Sequence, residues 1–67
     1  MKVSYDERAD ILSIVLKREA RVVESDEDKP GVILDYDASG DLVSLEILEA
    51  SRRVTDVRHV EFDAVGE

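Results

Sequence analysis

Two stretches of this chain carry apolar residues at every second position, and they do so in the same way. Met1, Val3 and Tyr5 alternate with Lys2 and Ser4; Val32, Leu34 and Tyr36 alternate with Ile33 and Asp35. A period of two predicts β-strands with one buried face. Each stretch runs into a polar turn, Asp6–Ala9 in the first case and Asp37–Gly40 in the second, and each turn leads into a second apolar strand. The agreement extends to identities. Tyr5, Asp6, Asp10 and Ser13 recur 31 positions later as Tyr36, Asp37, Asp41 and Ser44. The pattern is that of a duplicated β-hairpin.

The apolar sets also predict a register. Pairing Tyr5 with Asp10 across a four-residue turn puts Met1, Val3 and Tyr5 on one face with Leu12, Ile14 and Leu16. Pairing Tyr36 with Asp41 does the same for Val32, Leu34 and Tyr36 with Val43, Leu45 and Ile47. A slip of one residue would send each pair of sets to opposite faces. Gly40 suits a turn position with positive φ. Ile11, Val15, Ile33 and Leu42 are left pointing away from the shared face. They are the candidate interface residues, to be covered by the C-terminal segment or by a second subunit.

Between the hairpins, residues 17–31 read as a linker with a short edge strand at Arg21–Ser25. The charged loop Ser25–Lys29 follows, closed by Pro30-Gly31, where a sheet ladder must stop. Beyond residue 48 the periodicity fades. Residues 49–67 read as a short helix near Ala50–Val54, an extended stretch to about Phe62, and a fraying end. The expected fold is mainly β, a small α+β domain of two successive antiparallel hairpins (1–16 and 32–48). They form a four- to five-stranded sheet with a short C-terminal helix or extended tail. All 67 residues make a single domain.

Composition narrows the function. A domain this short buries only about 60% of its unfolded surface, and domains of this size usually carry a disulfide, a metal or a partner subunit. There is no Cys and only one His, which leaves self-association, and a homodimer is expected. The net charge is −8, from 17 acidic and 9 basic residues. That balance disfavours direct nucleic-acid or anionic-membrane contact. It suits a basic protein partner steered by charge. No apolar run approaches the ~18 residues of a membrane span, and no signal peptide is read at the N-terminus, so the expected location is cytoplasmic.

Three sets of residues invite chemistry. Asp35, Asp37, Ser39, Gly40 and Glu46 match the string of a calcium loop, D-x-D-x-S-G-x5-E. Such a loop sits between helices, whereas these residues lie in a hairpin that carries Glu46 roughly 17 Å down a strand from Asp41 at ~3.3 Å per residue. Asp at the start of a turn more commonly accepts local backbone N–H groups. Asp35, Asp37 and Asp41 therefore remain weak metal candidates; with Glu46 they define the alternative reading, a divalent-metal-binding or hydrolytic protein. His59 has no G-x-S-x-G elbow to serve. The run Asp26-Glu27-Asp28 reads as a solvated loop or, more sharply, as a docking patch for a basic partner. No catalytic residue and no cofactor are expected.

One resemblance adds to this reading. The segments Val3-Ser4-Tyr5-Asp6, Ala9-Asp10-Ile11-Leu12-Ser13-Ile14, Pro30-Gly31-Val32-Ile33-Leu34-Asp35-Tyr36-Asp37 and Gly40-Asp41-Leu42-Val43-Ser44-Leu45-Glu46-Ile47-Leu48-Glu49-Ala50-Ser51 resemble the small prokaryotic family of domain of unknown function 2283. The likeness covers about the first 51 residues. Glu7 stands where the family favours Pro, and Ser44 where Gly is frequent. The resemblance implies a compact β-rich domain of bacteria and archaea and brings no assigned catalytic residues. Members found as short proteins beside other small genes make an antitoxin-like role conceivable. The functional expectation is a small, acidic, non-enzymatic interaction module that self-associates.

Overall fold

A computed structural model describes residues 1–66. Five strands form one antiparallel sheet: β1 (Lys2–Asp6), β2 (Ile11–Val15), β3 (Glu24–Lys29), β4 (Val32–Tyr36) and β5 (Leu42–Leu48). One helical turn, α1 (Ala50–Arg53), follows β5. The spatial order is β1-β2-β5-β4-β3, so β1 and β3 are the free edges. Glu67, the last residue of the C-terminal segment, lies outside the described residues.

The sequence duplication becomes a rotation. Val3 lies opposite Ile14 and Leu34 opposite Leu45, and Ile14 itself lies opposite Leu45. Ile14 and Leu45 are equivalent positions of the two repeats. A pseudo-two-fold axis normal to the sheet therefore passes between them, exchanging β1 with β4 and β2 with β5. The row Val3–Ile14–Leu45–Leu34 reads the same from either end. Its neighbour Tyr5–Leu12–Ile47–Val32 maps by the same rotation onto Tyr36, Val43, Leu16 and Met1. One face of the sheet is thus apolar across four strands, as the alternation predicts.

The register of each hairpin differs from the expected one by two residues. Tyr5 pairs with Leu12 and not with Asp10; Leu34 pairs with Leu45 where the expected register gives Val43, and Tyr36, at a bulge, with Leu42. A shift of two keeps every side chain on its face, which is why the apolar pattern could not detect it. The turn chemistry decides it. Asp10 has φ 58°, and its groups bond to Tyr5, Ala50 and Ser51, so it belongs to the turn. The first loop still has four residues, moved one place along. In the second, Gly40 N–H donates to Asp37 O (3.0 Å) and Asp37 N–H to Asp41 O (3.0 Å). Gly40 has φ 85°, which gives a type I turn followed by a left-handed glycine. A bulge then offsets Leu42 and Val43 against Tyr36.

The third strand is also displaced. Sequence reading places it at Arg21–Ser25 and treats Ser25–Lys29 as loop; β3 is Glu24–Lys29, all six residues exposed. Its side chains have poor strand propensity. The main-chain ladder with β4, closed by the two-residue Pro30-Gly31 turn (Gly31 φ 83°), holds it regardless. Asp and Glu tolerate an edge because every side chain there stays in water.

Among the described residues three are buried: Leu12, Val43 and Ala50. Leu12 and Val43 are repeat equivalents flanking the pseudo-dyad, and each lies beneath or beside a connection that leaves the sheet. After β2 the chain crosses toward β3, its Leu16 and Lys17 N–H groups donating to Val43 O (2.7 and 3.1 Å). After β5 it crosses back over the first hairpin, where Val57 and Val60 line a cleft with Val3, Tyr5 and Leu12. The C-terminal segment therefore lies against the apolar face, not over the outward residues Ile11, Val15 and Ile33. From Val60 on, Phe62 (78% exposed) and Val65 (86%) extend into solvent without strand pairing.

Leu12 carries the largest side chain of this small core. Leu12→Ala is expected to cost about 2–5 kcal/mol, and Val15→Ala, on the outward face, less than half as much. Urea midpoints with unchanged m-values would measure both.

Candidate functional site

The polar side chains collect at three places. At one end of the sheet, Lys17 Nζ donates to Asp37 (2.6 Å) and to Asp41 (3.1 Å). Asp37 Oδ1 also accepts the N–H groups of Ser39 and Asp41 (3.0 Å each). Asp37 thus caps its own turn and ties it to the β2–β3 connection. The ammonium holds the Asp37 carboxyl below the usual carboxylate range, assisted by the Asp41 N–H; Asp37 and then Asp41 raise Lys17.

At the other end, Asp10 does the corresponding work with different partners. It accepts from Tyr5 Oη (2.7 Å), Ser51 N–H (2.9 Å) and Ser51 Oγ (2.7 Å), while its main-chain carbonyl takes Ala50 N–H (2.9 Å). Helix α1 follows Glu49, its N-cap residue, which has φ 54° and makes no side-chain capping bond. Its first N–H groups would otherwise lack partners; Asp10 supplies them from another part of the chain. The Tyr5 hydroxyl, then Ser51, lowers the Asp10 carboxyl, and that same bond to Asp10 raises the Tyr5 phenol. Asp6 caps the first turn, accepting Arg8 and Ala9 N–H (3.0 and 3.1 Å), as its equivalent Asp37 does in the second.

The third place is the outward face. Asp35 accepts Ser25 Oγ (2.6 Å) and Ser44 Oγ (2.8 Å) from the strands on either side. Glu46 lies between Ser13 and Ile33 in the ladders. Of the interface candidates, Ile11 pairs with Leu48 at one end, Val15 with Ser44 at the other, and Ile33 with Glu46 between. Polar Ser13, Ser44, Glu46 and Asp35 separate them. Leu42, opposite Tyr36 at the bulge, stands apart from the other three. The four candidates do not form one patch.

This arrangement bears on the carboxylate chemistry. Asp37 and Asp41 share one lysine, Asp35 is spanned by two serines, and Glu46 sits in mid-strand. No helices flank Asp35–Glu46. Among the described residues no group of three or more His, Cys, Asp or Glu side chains is placed to hold a metal ion. His59 faces Glu61 (3.6 Å) on the surface, with no serine hydroxyl bonded to it among the described residues. The sites missed by sequence reading are the long-range bonds of Asp10 and Lys17. Both residues flank apolar strands at repeat ends, but no local signal names Ser51 or Asp37 as the partner.

The acid linkage has a definite sign. Asp10 and Asp37 titrate below their unfolded value of about 3.9, so their contribution is present above that value and is lost as pH falls through the lower folded values. Lys17 and Tyr5 are raised, so their contributions hold below about pH 10 and are lost as pH rises through the folded values. Asp10→Asn is expected to lower Tm at pH 7 and to flatten the fall of Tm below about pH 4. Thermal melts from pH 2 to 7 would show it; an unaltered acid slope would mean that Asp10 does not titrate with folding.

A family model described as Protein of unknown function (DUF2283) matches residues 2–51, a span that runs from the start of β1 into α1. Searches of curated proteins and of solved structures found no match to this chain. No helix among the described residues is long and apolar enough to cross a membrane. The match takes in all five strands and both turn aspartates as well as Asp10 and Ser51, and on that span the chain belongs to the DUF2283 family.

Proposed function

We propose that this protein is a small, non-enzymatic interaction module of the cytoplasm that works as a homo-oligomer and offers an acidic surface to a basic protein partner. One observation supports self-association above the others. The chain leaves 5427 Å² accessible, whereas a compact monomer of 7.5 kDa should leave about 4,200 Å². The difference, roughly 1,200 Å², exceeds the ~800 Å² that one partner contributes to a standard interface. Its radius of gyration, 13.0 Å, exceeds the ~11 Å of a compact chain of this length. A single sheet with one helical turn lacks the second layer on which a domain core is built.

The partner half of the proposal rests on charge. Edge strand β3 places Glu24, Asp26, Glu27 and Asp28 in solvent on a chain of net charge −8. A surface of that kind accelerates encounter with a basic protein and weakens as salt rises. An antitoxin covering a basic toxin would use it in this way. Three of the four carboxylates of a metal or hydrolytic reading, Asp35, Asp37 and Asp41, are bonded to Lys17, Ser25 and Ser44.

Sedimentation equilibrium of the full chain should return a dimer or higher multiple of 7.5 kDa; a monodisperse monomer at high concentration would remove self-association. Low-salt pulldown should recover a basic protein that salt releases and that a Glu24→Gln, Asp26→Asn, Asp28→Asn chain fails to hold. Recovery of nothing but the chain itself would remove the partner.

A further inference from the structure

The outer sides of β1 and β4 are related by the pseudo-two-fold axis, yet only one of the two equivalent places is filled. The outer side of β4 carries β3. The equivalent outer side of β1 carries no strand among the described residues, and Lys2, Val3, Ser4 and Asp6 are exposed there. The crossing segment that follows α1 comes back to β1, since Val57, Arg58 and Val60 line a cleft with Val3, Ser4 and Tyr5. Among the described residues it makes no backbone hydrogen bond to β1. An open edge of this kind presents a row of unpaired N–H and C=O groups, a template for another strand.

The residues of β1 say which strand. Lys2-Val3-Ser4-Tyr5-Asp6 laid antiparallel on a second copy of itself, centred on Ser4, sets Lys2 opposite Asp6 twice, Val3 opposite Tyr5 twice, and Ser4 opposite Ser4. Every cross-strand pair is favourable: two ion pairs, two aliphatic–aromatic pairs and one hydroxyl pair. Val3 and Tyr5 belong to the apolar face, so the pairing continues that face from one copy into the next. Asp6 uses Oδ1 for its turn, which leaves Oδ2 for the partner's Lys2. The same operation on β3 fails. Glu24-Ser25-Asp26-Glu27-Asp28-Lys29 folded on itself sets Asp26 against Glu27 and Ser25 against Asp28, carboxylate on carboxylate at the centre, and that edge is closed to a second copy by repulsion.

We propose that two copies join through β1, antiparallel and centred on Ser4, to make a continuous ten-stranded sheet with a two-fold axis at its seam. The contact is isologous and closes after two copies. The acidic β3 strands then form the two outer edges, where the basic partner of the preceding proposal would dock. The seam also extends an apolar floor past β1, beside the place where Val60 (59% exposed) and Phe62 (78%) are otherwise in water. Pairing at β1 presupposes self-association and adds the edge and the register.

The absence of native cysteine makes the test clean. Under mild oxidation the full chain carrying Ser4→Cys should form an interchain disulfide in high yield, because the two thiols face each other across the axis. Ser25→Cys, on the opposite edge, should not. Lys2→Glu places like charges opposite Asp6 of the other copy at both ends of the seam and should weaken the dimer about 10-fold, measured by sedimentation at several concentrations. A dimer that persists with no Ser4→Cys crosslink, or with equal crosslinking at Ser25→Cys, overturns the β1 seam and leaves self-association standing. A chain that sediments as a monomer at every concentration overturns both.

Discussion

The pairing of β2 with β5 is the contact on which everything else in the molecule hangs. It joins the two halves of a duplicated chain, with Ile14 opposite Leu45, and it is the one ladder between hairpins that are not adjacent in sequence. The β1–β2 and β4–β5 pairs are local and can form early. An isolated two-stranded hairpin is only marginally stable in water. Once β2 and β5 meet, four strands share one apolar face, and Leu12 and Val43 become buried on either side of the join. The equivalence of those two residues follows from the duplication, because a two-fold arrangement must bury the same position twice.

Symmetry at the centre is broken at the ends. The chain leaving each central strand must cross over the other half of the sheet, and the two crossings settle differently. The first is anchored by Lys17 against Asp37 and Asp41 and then delivers β3 to the edge of β4. The second makes one helical turn, is clipped to Asp10 through Ser51, and runs on without joining the edge of β1. Asp10 and Asp41 are repeat equivalents used for unlike tasks: one receives a helix N-terminus, the other a lysine. Duplication supplied two identical carboxylates, and the divergent crossings gave each a different partner. The free edge and the exposed Val60 and Phe62 are what that divergence leaves over.

These clusters read as fastening rather than chemistry. Of the carboxylates that a metal or hydrolytic site would need, Asp35, Asp37 and Asp41 already accept hydrogen bonds from the protein and Glu46 sits in mid-strand. What the surface offers beyond fastening is shape and charge: a flat apolar face, a self-complementary edge at β1 and a strongly acidic one at β3. The acidic edge also prevents promiscuous strand addition, since like charges directly opposite one another destabilise a ladder.

Much of the architecture was legible from the alternation of Met1, Val3 and Tyr5 and its echo in Val32, Leu34 and Tyr36. A period of two assigns faces, so the composition of the apolar side and the existence of both hairpins followed without coordinates. The Pro30-Gly31 break and the Gly40 turn were legible because backbone constraint is written in the residue itself. Face assignment is blind to a shift of two, so the register waited for the turn bonds of Asp10 and Asp37. The third strand was expected but placed too early, at Arg21–Ser25, because Glu24–Lys29 has no apolar pattern; its ladder to β4 is main-chain and independent of side-chain type. The order β1-β2-β5-β4-β3 and the long-range partners of Asp10 and Lys17 were decided only in three dimensions, because hydrogen bonds between residues distant in sequence leave no local periodicity.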